Sequence, residues 1–231
     1  MKPNVTKQVL VALLFVGAIF SQQVVASPIT WTTGPHFAGP NGAQAIDNTA
    51  VLVEAVNLIN LNNADPGVLV VNNAAKNIAF TPRGDIFPAT GFNTTNIGSS
   101  DANWNAVIGA VDYNPSAATF ATLTLTGLMI GSEYRIQLFD FDGRSTELAE
   151  VIAFSDGLGN FSASFLKGSA TSIFGTFIAD ATTQNIRLQD DDDQTLNAYV
   201  LQLVPSPSVL ALMLLGVGLL VRVSPGYQSG G

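Results

Sequence analysis

Apolar and polar residues alternate with a period of two over much of the chain, and no other feature of the sequence restricts the fold as strongly. In ATLTLT (121–126), alanine or leucine occupies every odd position and threonine every even position. In YRIQLF (134–139), Tyr134, Ile136 and Leu138 fall on one face in the same way. Successive side chains of a strand point to opposite faces, so this pattern predicts strands that bury one face.

Further segments have the same character and are separated by short turns rich in Gly, Asn and Asp. Many short strands with such turns are typical of antiparallel sandwiches and barrels. We therefore predict an all-β protein, an antiparallel β-sandwich of the jelly-roll kind. The predicted strands are 29–33, 50–58, 67–71, 77–81, 118–128, 133–141, 148–155, 160–166, 172–179, 184–189 and 195–204.

One segment, SDANWNAVIGAVDYN (100–114), has a helical period instead. Large apolar residues follow Trp104 at i+3, i+4 and i+7, and Ser100 or Asp101 can cap the N-terminus. We predict a short helix that plugs one end of the sandwich. In the alternative interpretation, Trp104 is a ligand-binding platform on which a sugar ring stacks.

Residues 1–26 have the composition of an export signal. Lys2 and Lys7 precede a 12-residue apolar stretch (9–20), and the small side chains at 24–26 match a signal peptidase site. The sequence thus predicts a signal peptide at 1–26, an exported sandwich domain at 27–204 and a tail at 205–231. The signal and the tail each contain a predicted hydrophobic helix.

The predicted exported domain is strongly acidic and contains no cysteine. Six Lys or Arg residues stand against 17 acidic residues between positions 27 and 204. Such a surface repels nucleic acid and anionic lipid headgroups. Without disulfides, the stability of an exported domain must come from packing and from any bound cation.

A second apolar run lies in the tail, within VPSPSVLALMLLGVGLLVRV (204–223). As a helix, its 13 apolar residues at 209–221 would cover about 20 Å of a hydrocarbon core of about 30 Å. Pro205 and Pro207 remove backbone donors, so the last strand should end before them. The run is short for a stable span, and we expect it to insert into the membrane only transiently.

The tail resembles the PEP-CTERM sorting signal of exported bacterial proteins. Val204, Pro205, Ser206 and Pro207 correspond to the Val-Pro-Glu-Pro-like motif, with Ser206 in place of the usual Glu, and Arg222 follows the apolar run. The resemblance implies recognition by a membrane protease of the exosortase type. It also implies delivery to the cell surface or to the extracellular polymer.

Three upstream segments resemble the β-rich ectodomains that often precede this tail in planctomycete and verrucomicrobial proteins. They are LTLTGLMIGSEYRIQLFDFDGR (123–144), GTFIADATTQNIRL (175–188) and LNAYVLQLVP (196–205). These ectodomains are similar to jelly rolls of the galactose-binding-like type, which implies the same architecture here.

The segment FDFDGRSTE (139–147) is the first candidate site. Asp140, Asp142 and Arg144 surround an Asp-Gly pair typical of a tight turn. If alternation continues past Leu138, Asp140 lies on the buried face, where its charge needs a partner. A structural Asp–Arg pair, a ligand contact and a contribution to a Ca²⁺ site are the three interpretations.

The segment LQDDDDQTLN (188–197) is the second candidate. Its four consecutive carboxylates, Asp190, Asp191, Asp192 and Asp193, repel one another, and a hard cation such as Ca²⁺ would relieve the repulsion. The spacing is not that of an EF-hand. A solvated acidic loop is the competing interpretation, so Ca²⁺ is only a possible cofactor.

The sequence gives little support for catalysis. His36 is the single histidine and there is no cysteine, which leaves one residue for any Ser–His triad and excludes zinc sites built from His and Cys. We predict a non-enzymatic cell-surface or extracellular-matrix protein with a structural or adhesive role. The alternatives are a carbohydrate-binding module that recognises extracellular polysaccharide and, less favoured, a glycan hydrolase using a carboxylate pair.

Overall fold

The computed structural model of the protein describes residues 27–59, 66–84, 89–93, 96–115, 120–190 and 193–205. Strands dominate these ranges, together with one short α-helix, α1 (Ala102–Gly109), and two 3₁₀ turns (Gly42–Ala45 and Lys167–Ser169). In chain order the strands are β1 (Thr30–His36), β2 (Val51–Leu58), β3 (Leu69–Asn73), β4 (Lys76–Arg83), β5 (Ala89–Asn93), β6 (Ala110–Asn114), β7 (Ala121–Thr126), β8 (Glu133–Phe139), β9 (Val151–Ser155), β10 (Phe165–Leu166), β11 (Thr171–Ile178), β12 (Thr183–Asp190), β13 (Gln194–Leu196) and β14 (Ala198–Val204).

The strands form a large sheet, a small sheet and a three-stranded sheet. The large sheet has the order β1-β11-β8-β14-β2-β4-β3, and the small sheet has the order β10-β9-β12-β7. The third sheet has the order β13-β6-β5. Pairing is antiparallel except between β2 and β4, which run parallel and depart in this respect from the predicted all-antiparallel arrangement. The predicted all-β sandwich with one short helix is confirmed.

The main core lies between the large and the small sheet. The alternation predicted for 121–126 holds, because the alanine and leucines of β7 are buried while its threonines face outward. On β12, Ile186 and Leu188 point into the same core, and Ile136 and Leu138 of β8 meet them from the large sheet. The side-chain period of two therefore sets the buried face of both sheets.

The centre of the large sheet, at β8 and β14, is buried on both faces, which the sequence analysis did not anticipate. On β14, Tyr199 and Leu201 belong to the core facing the small sheet, whereas Ala198 and Val200 belong to a second core. Alternate residues of a strand point to opposite faces, so the second core covers the other side of the sheet. The near-continuous apolar run of this strand has the same explanation.

Helix α1 packs in this second core, against β3 and β2. The prediction that the helix plugs one end of the sandwich was wrong, since it covers a face of the large sheet. Asp101 is the N-cap, and its carboxylate accepts hydrogen bonds from the amides of Asn103 and Trp104. The helix ends at Gly109, and 110–114, predicted to continue it, form β6 because its backbone pairs with β13 and β5.

The predicted signal at 1–26 lies outside the described residues, as does the tail beyond Pro205. The last described strand ends at Val204, one residue before the first of the two prolines. Within the ranges that the structure describes, no helix has the length and apolar character needed to cross a bilayer.

Candidate functional site

The most unusual side chain in the structure is Lys167, whose ammonium group is completely buried. Its Nζ lies 2.7 Å from Glu150 Oε2, 2.8 Å from Asp190 Oδ2 and 2.5 Å from Asp193 Oδ1. It also donates to the main-chain carbonyl of Asp193 at 2.6 Å. Burial by itself would lower the pKa of this ammonium, but the charge of Asp140 and the hydrogen bonds to the neighbouring carboxylates raise it instead.

Four parts of the chain bring these groups to one end of the sandwich. Lys167 opens the 3₁₀ turn after β10, and Asp190 is the last residue of β12. Asp193 precedes β13, and Glu150 precedes β9. Asp190 points inward because it continues the buried positions of β12, where every second residue faces the core. We call this group, with Asp140, Asp142, Arg144 and Glu147, the ionic cluster.

Asp142 and Arg144 form the outer part of the ionic cluster. The guanidinium Nε donates to both oxygens of Asp142 at 3.0 and 2.9 Å, and the main-chain amide of Arg144 donates to the same carboxylate. Arg144 also reaches Asp193 Oδ2 at 3.3 Å and Glu147 Oε1 at 3.8 Å. Of the three interpretations of this segment, the structure supports the Asp–Arg pair directly.

Asp140 is completely buried, as alternation past Leu138 predicted. Burial raises the pKa of its carboxyl to about 8, against the opposing influence of the Lys167 charge and the Thr195 hydroxyl. Neither of its oxygens has a well-aligned hydrogen bond within the described part of the chain. Its predicted need for a partner is therefore met by charge, chiefly that of Lys167.

Within the ionic cluster, the carboxyl groups of Glu147 and Glu150 also contact each other. Burial and the neighbouring Glu147 raise the pKa of Glu150 to about 7, while the hydrogen bond with Glu150 lowers the pKa of Glu147. Together with Asp193 they offer three carboxylate oxygens that all lie within 4.8 Å of one another.

A groove of about 430 Å³ lies beside the ionic cluster, on the outward side of β9 and β12. It is lined by Val151, Ala153, Phe161, Ser162, Ser164, Gln189 and Asp190. Half of the Phe161 side chain is exposed. Asp190 is also a lining residue, although its side chain is fully buried and points inward to Lys167.

The rest of the outward face of the small sheet is polar. On β12 the exposed residues are Thr183, Asn185, Arg187 and Gln189, and the outward threonines of β7 lie next to them. Thr124 donates a 2.9 Å hydrogen bond to Asn185. The Arg187 guanidinium lies 5.6 Å from the centre of the exposed Phe120 ring. The face thus combines hydrogen-bonding side chains with exposed aromatic rings at two places.

Trp104 does not line any such surface. Its ring is completely buried among Phe37, Phe80 and Phe139, and its indole nitrogen donates to the carbonyl of Phe37 at 3.1 Å. The sugar-stacking interpretation was wrong, because a fully packed ring has no face free for a ligand. The helical spacing of Trp104 with Val107 and Ile108 correctly indicated that this ring is part of the core.

Of the other predicted site residues, the structure describes some, and the rest lie outside the described ranges. Asp190 and Asp193 are buried and ion-paired with Lys167, so these two do not belong to a solvated acidic loop. Val204 and Pro205 are described. Five predicted site residues lie outside the described ranges: Asp191, Asp192, Ser206, Pro207 and Arg222.

The sequence analysis missed Lys167, Glu147, Glu150 and Phe161. Lys167 stands in FLKGSA, where two apolar residues before a lysine are too common to signal a buried ammonium. A usable signal did exist for Asp190, because Ile186 and Leu188 place it on the buried face of a period-two strand.

Comparison with known proteins adds little to this description. No family model matches the chain, and no curated protein matches it. One solved structure is similar in shape, the crystal structure of Bacteroides uniformis beta-glucuronidase, with 10% sequence identity and a TM-score of 0.42. The match covers 78% of this chain and 23% of that chain, so this chain spans less than a quarter of the enzyme.

Proposed function

We propose that this chain is an exported protein of the cell surface or extracellular matrix, with a structural or adhesive role in contact with extracellular polysaccharide. The observation that carries the proposal is the outward face of the small sheet. Hydrogen-bonding side chains and exposed rings occur there together, a combination suited to hydroxyl-rich polymers with apolar sugar faces.

The charge of the protein favours such a partner over the other common polymers. The chain has a net charge of −8, so phosphate-rich nucleic acid and anionic lipid surfaces are repelled. The outward groups of β12 are largely uncharged amides and hydroxyls, with Arg187 as an exception. Neutral polysaccharide therefore fits this face better than a polyanion does.

Delivery to the surface is part of the proposal and rests on the sequence of the tail. In this view, residues 1–26 direct export, and 205–231 insert transiently into the membrane for processing by an exosortase-type protease. Deleting 205–231 should move the protein from the envelope fraction to the medium. Mass measurement of the mature C-terminus tests processing, and an intact tail on a protein held stably in the membrane would contradict it.

Adhesion is tested by sedimentation of the full chain with insoluble extracellular polymer from the producing cells. We expect the protein to pellet with the polymer, and Phe161→Ser together with Arg187→Gln to reduce the bound fraction. Binding that is unchanged in this variant would remove the small sheet from the proposal.

A carbohydrate-binding module is the second candidate, and the groove beside Phe161 favours it. One half-exposed ring and the exposed polar residues Ser164 and Gln189 line a volume large enough for a sugar residue. A glycan array separates the candidates, because a module binds one glycan class and an adhesive face binds many weakly. Release of reducing ends from polysaccharide would instead support the less favoured hydrolase.

A further inference from the structure

We infer that the outer side of the ionic cluster is a divalent cation site, with Glu147, Glu150 and Asp193 as ligands and Ca²⁺ as the best-matched ion. This inference is independent of the proposed adhesive role. It also differs from a site formed by the four consecutive aspartates alone, because two of its ligands come from the segment before β9.

The spacing of the three carboxylates suits one ion. Their ligand oxygens all lie within 4.8 Å of one another. Ca²⁺ binds oxygen at about 2.3–2.6 Å, so two ligands on opposite sides of one ion are separated by about 5 Å at most. The three carboxylates therefore reach a common centre without rearrangement, and solvent or main-chain oxygens can complete the shell.

The two cations of the ionic cluster do not balance the negative charge of its carboxylates. Besides Asp140, five carboxyl groups surround the two cations Lys167 and Arg144, namely those of Asp142, Glu147, Glu150, Asp190 and Asp193. Neighbouring carboxylates repel one another unless a proton or a cation lies between them. A divalent ion would supply the missing positive charge.

Lys167 cannot satisfy its neighbours fully. An ammonium has three donors, yet four oxygens from Glu150, Asp190 and Asp193 lie 2.5–2.8 Å from its Nζ. A carboxylate has about four lone-pair positions, so Glu150 and Asp193 retain acceptor capacity on the sides turned away from Lys167. That capacity is available to an ion that approaches from solvent, to which both carboxylates are slightly exposed.

Buried oxygens without hydrogen-bond partners provide an observation that is independent of the clustering. Asp140 is completely buried, and neither of its oxygens has a hydrogen bond of good geometry within the described residues. Its carboxyl faces the Lys167 ammonium, whose other contacts include the proposed ligands Glu150 and Asp193. Such groups usually indicate an ion or water bound at the site.

The ligand set favours Ca²⁺ over other ions. All three ligands are hard carboxylate oxygens, and the described part of the cluster contains no histidine or thiol that would select zinc or copper. Mg²⁺ requires shorter bonds in near-ideal octahedral geometry and gives up its waters reluctantly. Ca²⁺ tolerates irregular shells of six to eight oxygens, as expected where ligands come from a turn and a loop.

The direct test is calorimetric titration of the chelator-treated full chain with CaCl₂. We expect saturable binding at one site, with a Kd of about 10⁻⁴–10⁻³ M, the range of extracellular calcium modules. A higher melting temperature should accompany saturation, because the ion binds only the folded state. A folded wild-type protein that shows neither saturable heat nor a shift in melting temperature would overturn the inference.

Isosteric variants locate the ion. Glu147→Gln and Glu150→Gln, checked for folding by circular dichroism, should each weaken Ca²⁺ binding about tenfold or more, in line with removal of a charged ligand. Glu133→Gln, an exposed glutamate at the opposite end of β8, is the matched control and should bind as the wild type does. If Glu150→Gln fails to fold, Glu147→Gln carries the test alone.

A further variant distinguishes the proposed site from the aspartate run. The double change Asp191→Asn and Asp192→Asn leaves the three proposed ligands intact and should retain binding. Loss of binding in that variant, together with normal binding in Glu147→Gln, would place the ion on the loop and contradict the inference.

Discussion

The Lys167 ammonium lies 2.8 Å from Asp190 Oδ2, and neither side chain has any exposed surface. This ion pair joins the turn after β10 to the end of β12, next to the carboxylates of the segment between β8 and β9. Taking such charges out of water is costly, and the pair is tolerated because further hydrogen bonds surround it.

Lys167→Met should destabilise the protein strongly. The variant leaves Asp140 and Asp190 buried without their cation, and breaking a buried pair in this way costs about 3–5 kcal/mol. Urea denaturation followed by circular dichroism measures the loss. Lys76→Met, at a partly exposed lysine at the start of β4, is the control and should change stability by about 0.5 kcal/mol or less. Equal midpoints for the two variants would mean that the cluster is not coupled to folding.

Asp140→Asn should change how stability depends on pH. The pKa of Asp140 is raised to about 8 in the folded protein, from an ordinary value of 3.8, so the folded state holds its proton more tightly than the unfolded state. The stability that this proton contributes to the folded state is fully present below pH 4 and is lost as the pH rises towards 8. Asparagine cannot ionise, so the free energy of unfolding of the variant should rise relative to that of the wild type as the pH increases over this range.

The gain of Asp140→Asn between pH 5 and pH 8 should be on the order of a few kcal/mol. Denaturation midpoints of both proteins across this range give the difference. The groups that face Asp140, namely Lys167, Thr195, Asp190 and Asp142, are the same in both proteins. A difference independent of pH would show that Asp140 is ionised at pH 5 in the folded state.

Trp104→Ala should cost about 3–5 kcal/mol, because it removes the largest ring from the core under α1. Trp104→Phe retains part of the packing but loses the hydrogen bond to the carbonyl of Phe37, so its cost should be smaller. Thermal melting ranks the two variants. Polymer binding by Trp104→Phe should equal that of the wild type. Reduced binding would indicate that this ring contributes to ligand binding after all.

Phe161→Ser should weaken binding to extracellular polymer several-fold while leaving the melting temperature unchanged. Half of this side chain is exposed, so its loss removes contact area for a ligand and little packing. Ile178→Ser, at a similarly exposed residue of β11 in the large sheet, is the matched control. If both variants bind equally well, the groove is not the contact surface.

Residues 27–204 should fold without the flanking segments. The described strands all lie within these limits, and β14 completes its pairing with β2 and β8 before Pro205. Circular dichroism of this segment should give a β-type spectrum and one cooperative transition. Its melting temperature should match that of the full chain, whereas failure to fold would assign the tail a place in the core.

Local alternation determined much of the sandwich. The period of two identified most strands and assigned their buried faces, as in 121–126, because side-chain direction in a strand depends only on position along it. The cap at Asp101 and the spacing from Trp104 likewise located α1, since helix signals act within a few residues. The burial of Asp140 also followed from the pattern after Leu138.

Only the tertiary structure decided which charges meet. Lys167 and Asp190 are far apart in the sequence, and nothing near either residue specifies the other, since an ion pair depends on how separate strands are arranged in space. The same holds for the placement of α1 on the second face of the large sheet, because a helical stripe shows that a face is buried and not what buries it. Sequence patterns thus determined the elements and their buried faces, and packing determined the ionic cluster.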